Sequence, residues 1–278
     1  MLGHQLFLHL SRSHDVRVTV RKEREAYGAI GLFNSRNARF GVDVRDFAQV
    51  EKIALAMRPD AIVNAIGIVK QRGDAEDTIL NIEVNSLLPH RLAALSERLG
   101  ARLVHLSTDC VFDGKRGLYT EEDVPSAEDI YGRSKLLGEV SGPTAITLRT
   151  SMIGQELFRK EGLLEWFLAQ QGEVRGFTNA VFSGFTTIEL ARIVGRVLMA
   201  PAGVHGTYHV SAAPISKFDL ISLIKKKLGL SIRIVPDGRL RIDRSLDSRR
   251  FRREFGYRPP TWNQMIGELA DRIEESRK

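Results

Sequence analysis

Two hydrophobic periods alternate across the first half of this chain, and that alternation limits its fold more than any other feature. Short runs rich in β-branched residues occur at 16–20 (VRVTV), 60–67 (DAIVNAIG), 101–108 (ARLVHLST) and 145–150 (AITLRT), with a further strand expected at 39–42. Between them lie stretches with helical spacing at 46–57, 85–99 and 131–140. Asp46 is placed to cap the first of these helices, and Gly100 to end the second in a left-handed turn. Strands that alternate with helices form βαβ units, whose repetition gives a parallel sheet covered on both faces. The expected fold class is therefore α/β, a doubly wound parallel sheet of Rossmann type.

After Arg149 the pattern changes. Helical spacing appears at 158–171, 186–199 and 216–229, a short strand at 206–211, and an amphipathic helix at 262–275 beyond the stop signal Pro259-Pro260. The reading is a nucleotide-binding domain over 1–150 followed by a smaller, partly interleaved substrate-binding lobe over 151–278. There is no internal repeat and no low-complexity linker.

Several function classes are disfavoured by composition. The longest apolar runs are broken by charges well short of the roughly 18 residues that span a bilayer. The opening MLGHQLFLHLSRSHDVRV has no basic leader region and no small-residue cleavage site, so neither secretion nor membrane insertion is expected. The single cysteine, Cys110, cannot form an internal disulfide, which suits a reducing cytoplasm. The formal charge of +7 comes from scattered basic residues except for a cluster at 240–258 (LRIDRSLDSRRFRREFGYR), which carries no nucleic-acid-binding motif. A positive surface equally suits a substrate bearing a diphosphate, so nucleic acid is not expected as a partner. The seven histidines are dispersed without ligand spacing, so no metal site is expected.

The chemistry centres on Tyr131-Gly132-Arg133-Ser134-Lys135. Positions four apart share one helix face, which brings a phenol and an ammonium together. A lysine cation beside a tyrosine favours the phenolate and moves the group toward working pH. The same spacing also arises on any solvated helix face, so its surroundings matter. Upstream, the strand 101–108 ends in Ser107-Thr108-Asp109, where a doubly wound sheet binds its ligands. A hydroxyl there can donate to a substrate carbonyl and stabilise a developing alkoxide, though an ordinary Ser/Thr turn reads the same way. Asn64-Ala65-Ile66-Gly67 closes another strand with small residues that admit a cofactor to the backbone, or forms a plain strand exit. Asp43 and Val44, after the strand at 39–42, can receive an adenine by hydrogen bond and packing, or Asp43 can cap the next helix.

In this order, these pieces resemble the extended short-chain dehydrogenase/reductases, and within them the dTDP-4-dehydrorhamnose reductase family. LVHLSTDCVFDG at 103–114 is similar to that family's hydroxyl-bearing motif, and TLRTS at 147–151 to its strand after the catalytic helix. The resemblance implies Thr108 as substrate-orienting hydroxyl, Tyr131 as proton donor, and Lys135 as its activator and ribose ligand. It also implies Asp109 against the sugar, Asn85 as the helix asparagine near the cofactor, and Ala65, Ile66 and Gly67 along the cofactor. Met152 stands where the family carries an aromatic substrate residue. Met1-Leu2-Gly3 matches the end of the family's glycine-rich phosphate turn, and the preceding strand and glycines are missing from this sequence. The start is thus expected to be shortened, with a loss of buried apolar surface on the order of 10 kcal/mol. The implied activity is reduction of a nucleotide-activated 4-keto-6-deoxysugar, dTDP-linked in that family, for surface polysaccharide precursors. Two alternatives stand beside it, a nucleotide-sugar epimerase or dehydratase of the same fold and a non-catalytic nucleotide-binding regulatory subunit. A homodimer is also within the reading.

Cofactor choice rests on the end of the strand at 16–20. Arg21 and Lys22 follow it directly, and cations there suit the 2′-phosphate of NADP(H) over NAD(H). Glu23 comes next and is within reach of a ribose hydroxyl, and both cations can instead face solvent.

Overall fold

A computed structural model describes residues 1–69, 76–158 and 160–276. The chain opens with α1 (Leu2–Leu10) and then β1 (Val18–Thr19), β2 (Ala38–Arg39), α2 (Phe47–Met57) and β3 (Ala61–Asn64). Next come α3 (Thr78–Asn81), a π-helical segment (Ile82–Leu87) and α4 (Leu88–Leu99), then β4 (Arg102–Thr108), α5 (Ile130–Leu137) and β5 (Ala145–Thr150). Four strands in the order β3, β4, β5 and a later strand, introduced below as β10, form an all-parallel sheet. The α/β architecture expected from the alternation is present. The β1–β2 pair forms a separate two-stranded parallel sheet.

The second half runs β6 (Met152–Ile153), α6 (Leu163–Leu168), β7 (Glu173–Phe177), β8 (Ala180–Phe182), β9 (Phe185–Thr186), α7 (Thr187–Leu198) and β10 (Gly206–His209). It ends with β11 (Ile215–Ser216), α8 (Lys217–Lys227), β12 (Arg233–Asp237), β13 (Ile242–Asp243), α9 (Arg249–Glu254) and α10 (Trp262–Glu275). Strand β10 aligns Thr207 with Thr147 on β5, so the main sheet draws its last strand from beyond residue 200. Small two- and three-stranded sheets make up the rest of this half.

Strand alternation distributes the core. Val104, Leu106, Ile146 and Leu148 face α1 and α7, and their cluster extends to Met265, Ile266, Leu269 and Ile273 of α10. Leu103 and Ala145 face the other way, onto Leu88 and Leu92 of α4. Burial of each such side chain contributes about 1.5–3 kcal/mol. Helix α10 follows Pro259-Pro260 as expected, and a reciprocal capping box between Thr261 and Gln264 starts it, a feature worth about 1 kcal/mol. Asp46 caps α2 by accepting from the Gln49 N–H, and Gly100 ends α4 with φ at 66°.

Three expectations need correction. The helix at 85–99 starts earlier, at Thr78, because Asp77 accepts from the Leu80 N–H and caps it there. The helix at 158–171 contracts to Leu163–Leu168, since the Glu156 carboxylate takes the N–H groups of Glu161 and Gly162 and holds the chain extended (residue 159 lies outside the described residues). The strand at 39–42 is paired over Ala38–Arg39 only, and the chain turns at Gly41 with φ at 66°. The basic cluster is knitted into the fold. Arg249 pairs with Asp247 at 2.6 Å and Arg250 with Glu254 at 3.2 Å. Arg244 donates to the Phe112 carbonyl and Arg252 to that of Ser211.

Candidate active site

Strand β4 ends at Thr108, which is buried, and its side chain organises the turn that follows. Thr108 Oγ1 accepts the Cys110 N–H at 3.1 Å and donates to Asp109 Oδ1 at 3.3 Å. Helix α5 starts opposite this turn, capped by Asp129, whose Oδ1 accepts the Gly132 N–H at 2.9 Å. Gly132 permits the close approach, because a Cβ there would lie 2.3 Å from the Cys110 carbonyl oxygen. Gly138 does the same at the other end of α5, where a Cβ would lie 1.8 Å from the Asn85 carbonyl oxygen. Two glycines thus press the helix against the β4 turn and the π-helical segment, and Tyr131 is brought to Thr108.

Burial pushes the Tyr131 phenol well above its ordinary value, aided by Cys110, Asp109 and Asp129, while the facing Thr108 hydroxyl acts in the opposite sense. Burial likewise pushes Asp109 up, against the nearby Arg244 charge and the hydrogen bond from Thr108. Lys135 is 4% exposed, and its Nζ donates to the Leu106 carbonyl at 2.6 Å. Burial lowers its pKa to about 8, with Glu139 opposing. The sequence predicted an ammonium that pulls the phenol down, but desolvation governs both groups here. Tyr131 stays a protonated phenol, the form a proton donor requires.

The loop after β3 is pinned from two sides. Asn64 Oδ1 accepts the Ile66 N–H at 3.2 Å, and its Nδ2 contacts His105 Nδ1 at 3.1 Å. Asn85, fully buried, accepts the Ile68 N–H at 2.9 Å and donates to the Ile68 carbonyl, Asn81 and Ser134. Its amide is therefore committed to protein partners, and Asn85 fastens the loop of Ala65, Ile66 and Gly67 to α5. Ile66 projects outward from that loop and is 39% exposed.

The other expected site residues lie around these elements. Arg21 and Lys22 are exposed beyond β1, with Lys22 Nζ 4.2 Å above the Phe158 ring. Glu23 folds back over Gly41. The Asp43 carboxylate is held by Arg45 at 2.6 Å and lies low, at about 2, chiefly through that hydrogen bond. Val44 packs against the α4 face of the core. Leu2 is buried against α7 and the sheet, Gly3 is exposed, and the Met1 ammonium is lowered by burial against the pull of Glu156 and Glu165. No side chain caps the start of α1, and no acidic residue occupies its first turn. Met152 is partly buried against the main core. Among the described residues no group of three or more His, Cys, Asp or Glu is arranged to hold a metal.

Sequence reasoning missed Glu139, Arg149 and His209, which with Ser107 form a polar chain beneath the site. A usable signal was present, since Arg149 is a charge inside the otherwise uncharged strand AITLRT.

Against known families, the model for the RmlD substrate binding domain matches residues 1–275. The chain belongs to that family. Among similar proteins is the "Probable low-salt glycan biosynthesis reductase Agl14" of Haloferax volcanii, 30% identical over 212 residues, covering 70% of each chain. The spore coat polysaccharide biosynthesis protein SpsK of Bacillus subtilis is 30% identical over 227 residues, covering 76% of this chain and 78% of SpsK. The crystal structure of dTDP-4-dehydrorhamnose reductase from Bacillus anthracis in complex with NADP superposes with a TM-score of 0.74 at 21% identity, over 93% of this chain and 98% of that one. At that identity the superposition speaks for the fold.

Proposed function

We propose that this RmlD-family chain is a nicotinamide-dependent reductase of a nucleotide-activated 4-keto-6-deoxysugar, acting in the synthesis of a surface polysaccharide. The observation that carries this reading is the half-buried Tyr131 phenol beside the Thr108 hydroxyl, with the Lys135 ammonium one helical turn along. The names of Agl14 and SpsK agree with a place in glycan or polysaccharide synthesis. The residues around the site fit a dinucleotide. The uncapped N-terminus of α1 suits a diphosphate, the pinned loop at 65–68 offers an apolar edge through Ile66, and Lys135 is in reach of a ribose. A reduced nicotinamide nucleotide supplies a hydride when bound.

The chain's own residues then do the following. Thr108 Oγ1 orients the keto oxygen and donates to it. Tyr131 Oη gives its proton to the alkoxide as negative charge develops there. Lys135 Nζ holds the phenol's surroundings positive and positions the ribose, and Asp109 and Ser151 line the sugar. NADP(H) is preferred through Arg21 and Lys22, which are exposed where a 2′-phosphate would lie and whose neighbour Glu23 is turned onto Gly41. The 1–150 segment binds the cofactor and the 151–278 segment the sugar nucleotide. The enzyme works in the cytoplasm; no helix among the described residues is long and apolar enough to cross a membrane. A homodimer belongs to the same reading.

The test is turnover of a dTDP-4-keto-6-deoxysugar with NADPH by Tyr131→Phe. General acid catalysis typically contributes about 10²–10⁴-fold, so turnover should fall by that range while cofactor affinity is retained. Near-normal turnover in the variant would remove Tyr131 from the reaction.

A further inference from the structure

Behind Thr108 and Lys135 runs a chain of buried charges that the proton transfer itself does not use. Glu139 lies just past the end of α5, one helical turn beyond Lys135. Its carboxylate accepts from Ser107 Oγ at 2.7 Å, Arg149 Nε at 2.8 Å and Arg149 Nη2 at 2.7 Å. The Glu139 and Arg149 side chains are 10% and 8% exposed. Arg149 Nη1 reaches His209 Nε2 at 3.2 Å, and His209 Nδ1 reaches the Tyr119 carbonyl at 2.8 Å. A carbonyl only accepts, so the ring proton is assigned to Nδ1 and Nε2 accepts from Arg149. An ion pair this deep contributes little net stability, because desolvation offsets most of its attraction. Its placement between the Thr108 strand and the Lys135 helix suggests another role.

We propose that Glu139 is a positioning residue of the reductive site, holding the Ser107–Thr108 end of β4 and supplying the counter-charge of Lys135, with Arg149 competing for that charge. This deepens the reductase reading and rests on it. The geometry gives Glu139 two tasks. Through Ser107 it fixes the residue next to the hydroxyl that orients substrate. From just past the end of that helix it is the carboxylate that raises Lys135 against desolvation.

The other groups facing Lys135 offer no substitute. Tyr131 on α5 is a protonated phenol. His105 on β4 is held neutral by burial and by Lys135 itself, with the exposed His90 of α4 behind it. Asn81 and Asn85 bond Ser134, the neighbour of Lys135, through neutral amides, and the cation Arg149 is bound to Glu139 itself. Removal of the Glu139 charge should therefore let Lys135 lose its proton at lower pH. Removal of Arg149 should free Glu139 and move Lys135 the other way.

The opposite signs separate this role from simple support of the fold. The full-length chain, labelled with 15N-lysine, is titrated by NMR with Lys135→Arg used for assignment. In parallel, kcat/KM is followed against pH with NADPH and a dTDP-4-keto-6-deoxysugar. Wild type should titrate near pH 8, where burial places Lys135. Glu139→Gln should lower the midpoint by about one pH unit and Arg149→Met should raise it by roughly half a unit, in line with one charge removed at close range. The alkaline limb of kcat/KM should move with each midpoint, and Glu139→Asp should recover most of the shift. Ser107→Ala, a mild change that should fold if the others do not, should lower kcat several-fold and leave the Lys135 midpoint in place. Midpoints that stay put, or move in the same direction in both charge variants, would overturn the proposal. A chain that titrates as described but reduces no sugar nucleotide would instead fail the reductase reading and leave this inference standing.

Discussion

Asn85 gives the sharpest test of how the loop at 65–68, the proposed cofactor loop, is held. Its side chain is fully buried and makes four hydrogen bonds, two of them to the backbone of Ile68, which is 3% exposed. The amide nitrogen has two hydrogens for its three acceptors, so Asn85→Ala removes the equivalent of three bonds at about 1 kcal/mol net each, a loss of about 3 kcal/mol. A second estimate starts from what is left behind. The Ile68 N–H and C=O lose these partners in a buried setting, at about 1–3 kcal/mol each, which brackets the same figure. That is a large share of the 5–15 kcal/mol typical of a folded chain, and for a protein of this size it corresponds to a fall in Tm of about 6–12 °C. The loop at 65–68 should loosen with it, so affinity for the nicotinamide nucleotide should drop about tenfold while kcat at saturating cofactor changes much less. Thermal melts and cofactor titration by fluorescence read both effects. Ser134→Ala removes only one partner and should cost about 1 kcal/mol. An Asn85→Ala chain that melts within about 2 °C of wild type would refute the argument that this amide fastens the loop.

Cofactor choice is tested by Arg21→Ala: kcat/KM for NADPH should fall roughly ten- to a hundredfold with NADH little changed, and a preference unmoved by the substitution would remove Arg21 from the 2′-phosphate. Acid stability follows from buried histidines. His4 and His209 are lowered to about 4, chiefly by burial, so between pH 6.5 and 4 the unfolded chain binds protons that the folded chain refuses. Stability should fall across that window by about 3 kcal/mol per histidine at its acid end, separately from the carboxylates Asp113 and Asp237, which sit at about 2 and lose their effect only below pH 4. Denaturant midpoints that stay flat from pH 6.5 to 4 would contradict this.

Local pattern made part of this protein legible and long-range pairing hid the rest. The strands at 102–108 and 145–150 and the helix at 262–275 carry strong periods and sharp stops, and each appears nearly as read. The helical spacing read from 85 onward hides the true start, because Asp77 caps the helix eight residues earlier and the intervening turn is π-helical. The helix at 158–171 failed because a side chain outside its window, Glu156, captured its first amides. Strands such as β8 and β13 are two or three residues long and gain their shape only by pairing across about 60 residues of sequence, which no window of local periodicity reports.

The candidate site divides along the same line. Tyr131 and Lys135 are four apart on one helix, so the sequence places them together. Thr108 could be joined to them only through the order of strands in a doubly wound sheet. The electrostatics could not be read at all, because they depend on burial. Desolvation pushes Tyr131 and Asp109 up and Lys135 down, so all three move toward their neutral forms in one small volume. For the proposed reduction this has a directional consequence. A phenol held above its ordinary value keeps its proton while the keto group is neutral and releases it only when an alkoxide forms beside it, so the donor is spent with hydride arrival and not before. The same burial makes Lys135 the group that fails first as pH rises, since its proton is lost near pH 8 while the phenol still holds its own. For the proposed reaction the alkaline limit is therefore expected from the lysine and from the carboxylate proposed to sustain its charge, not from the tyrosine proposed as donor.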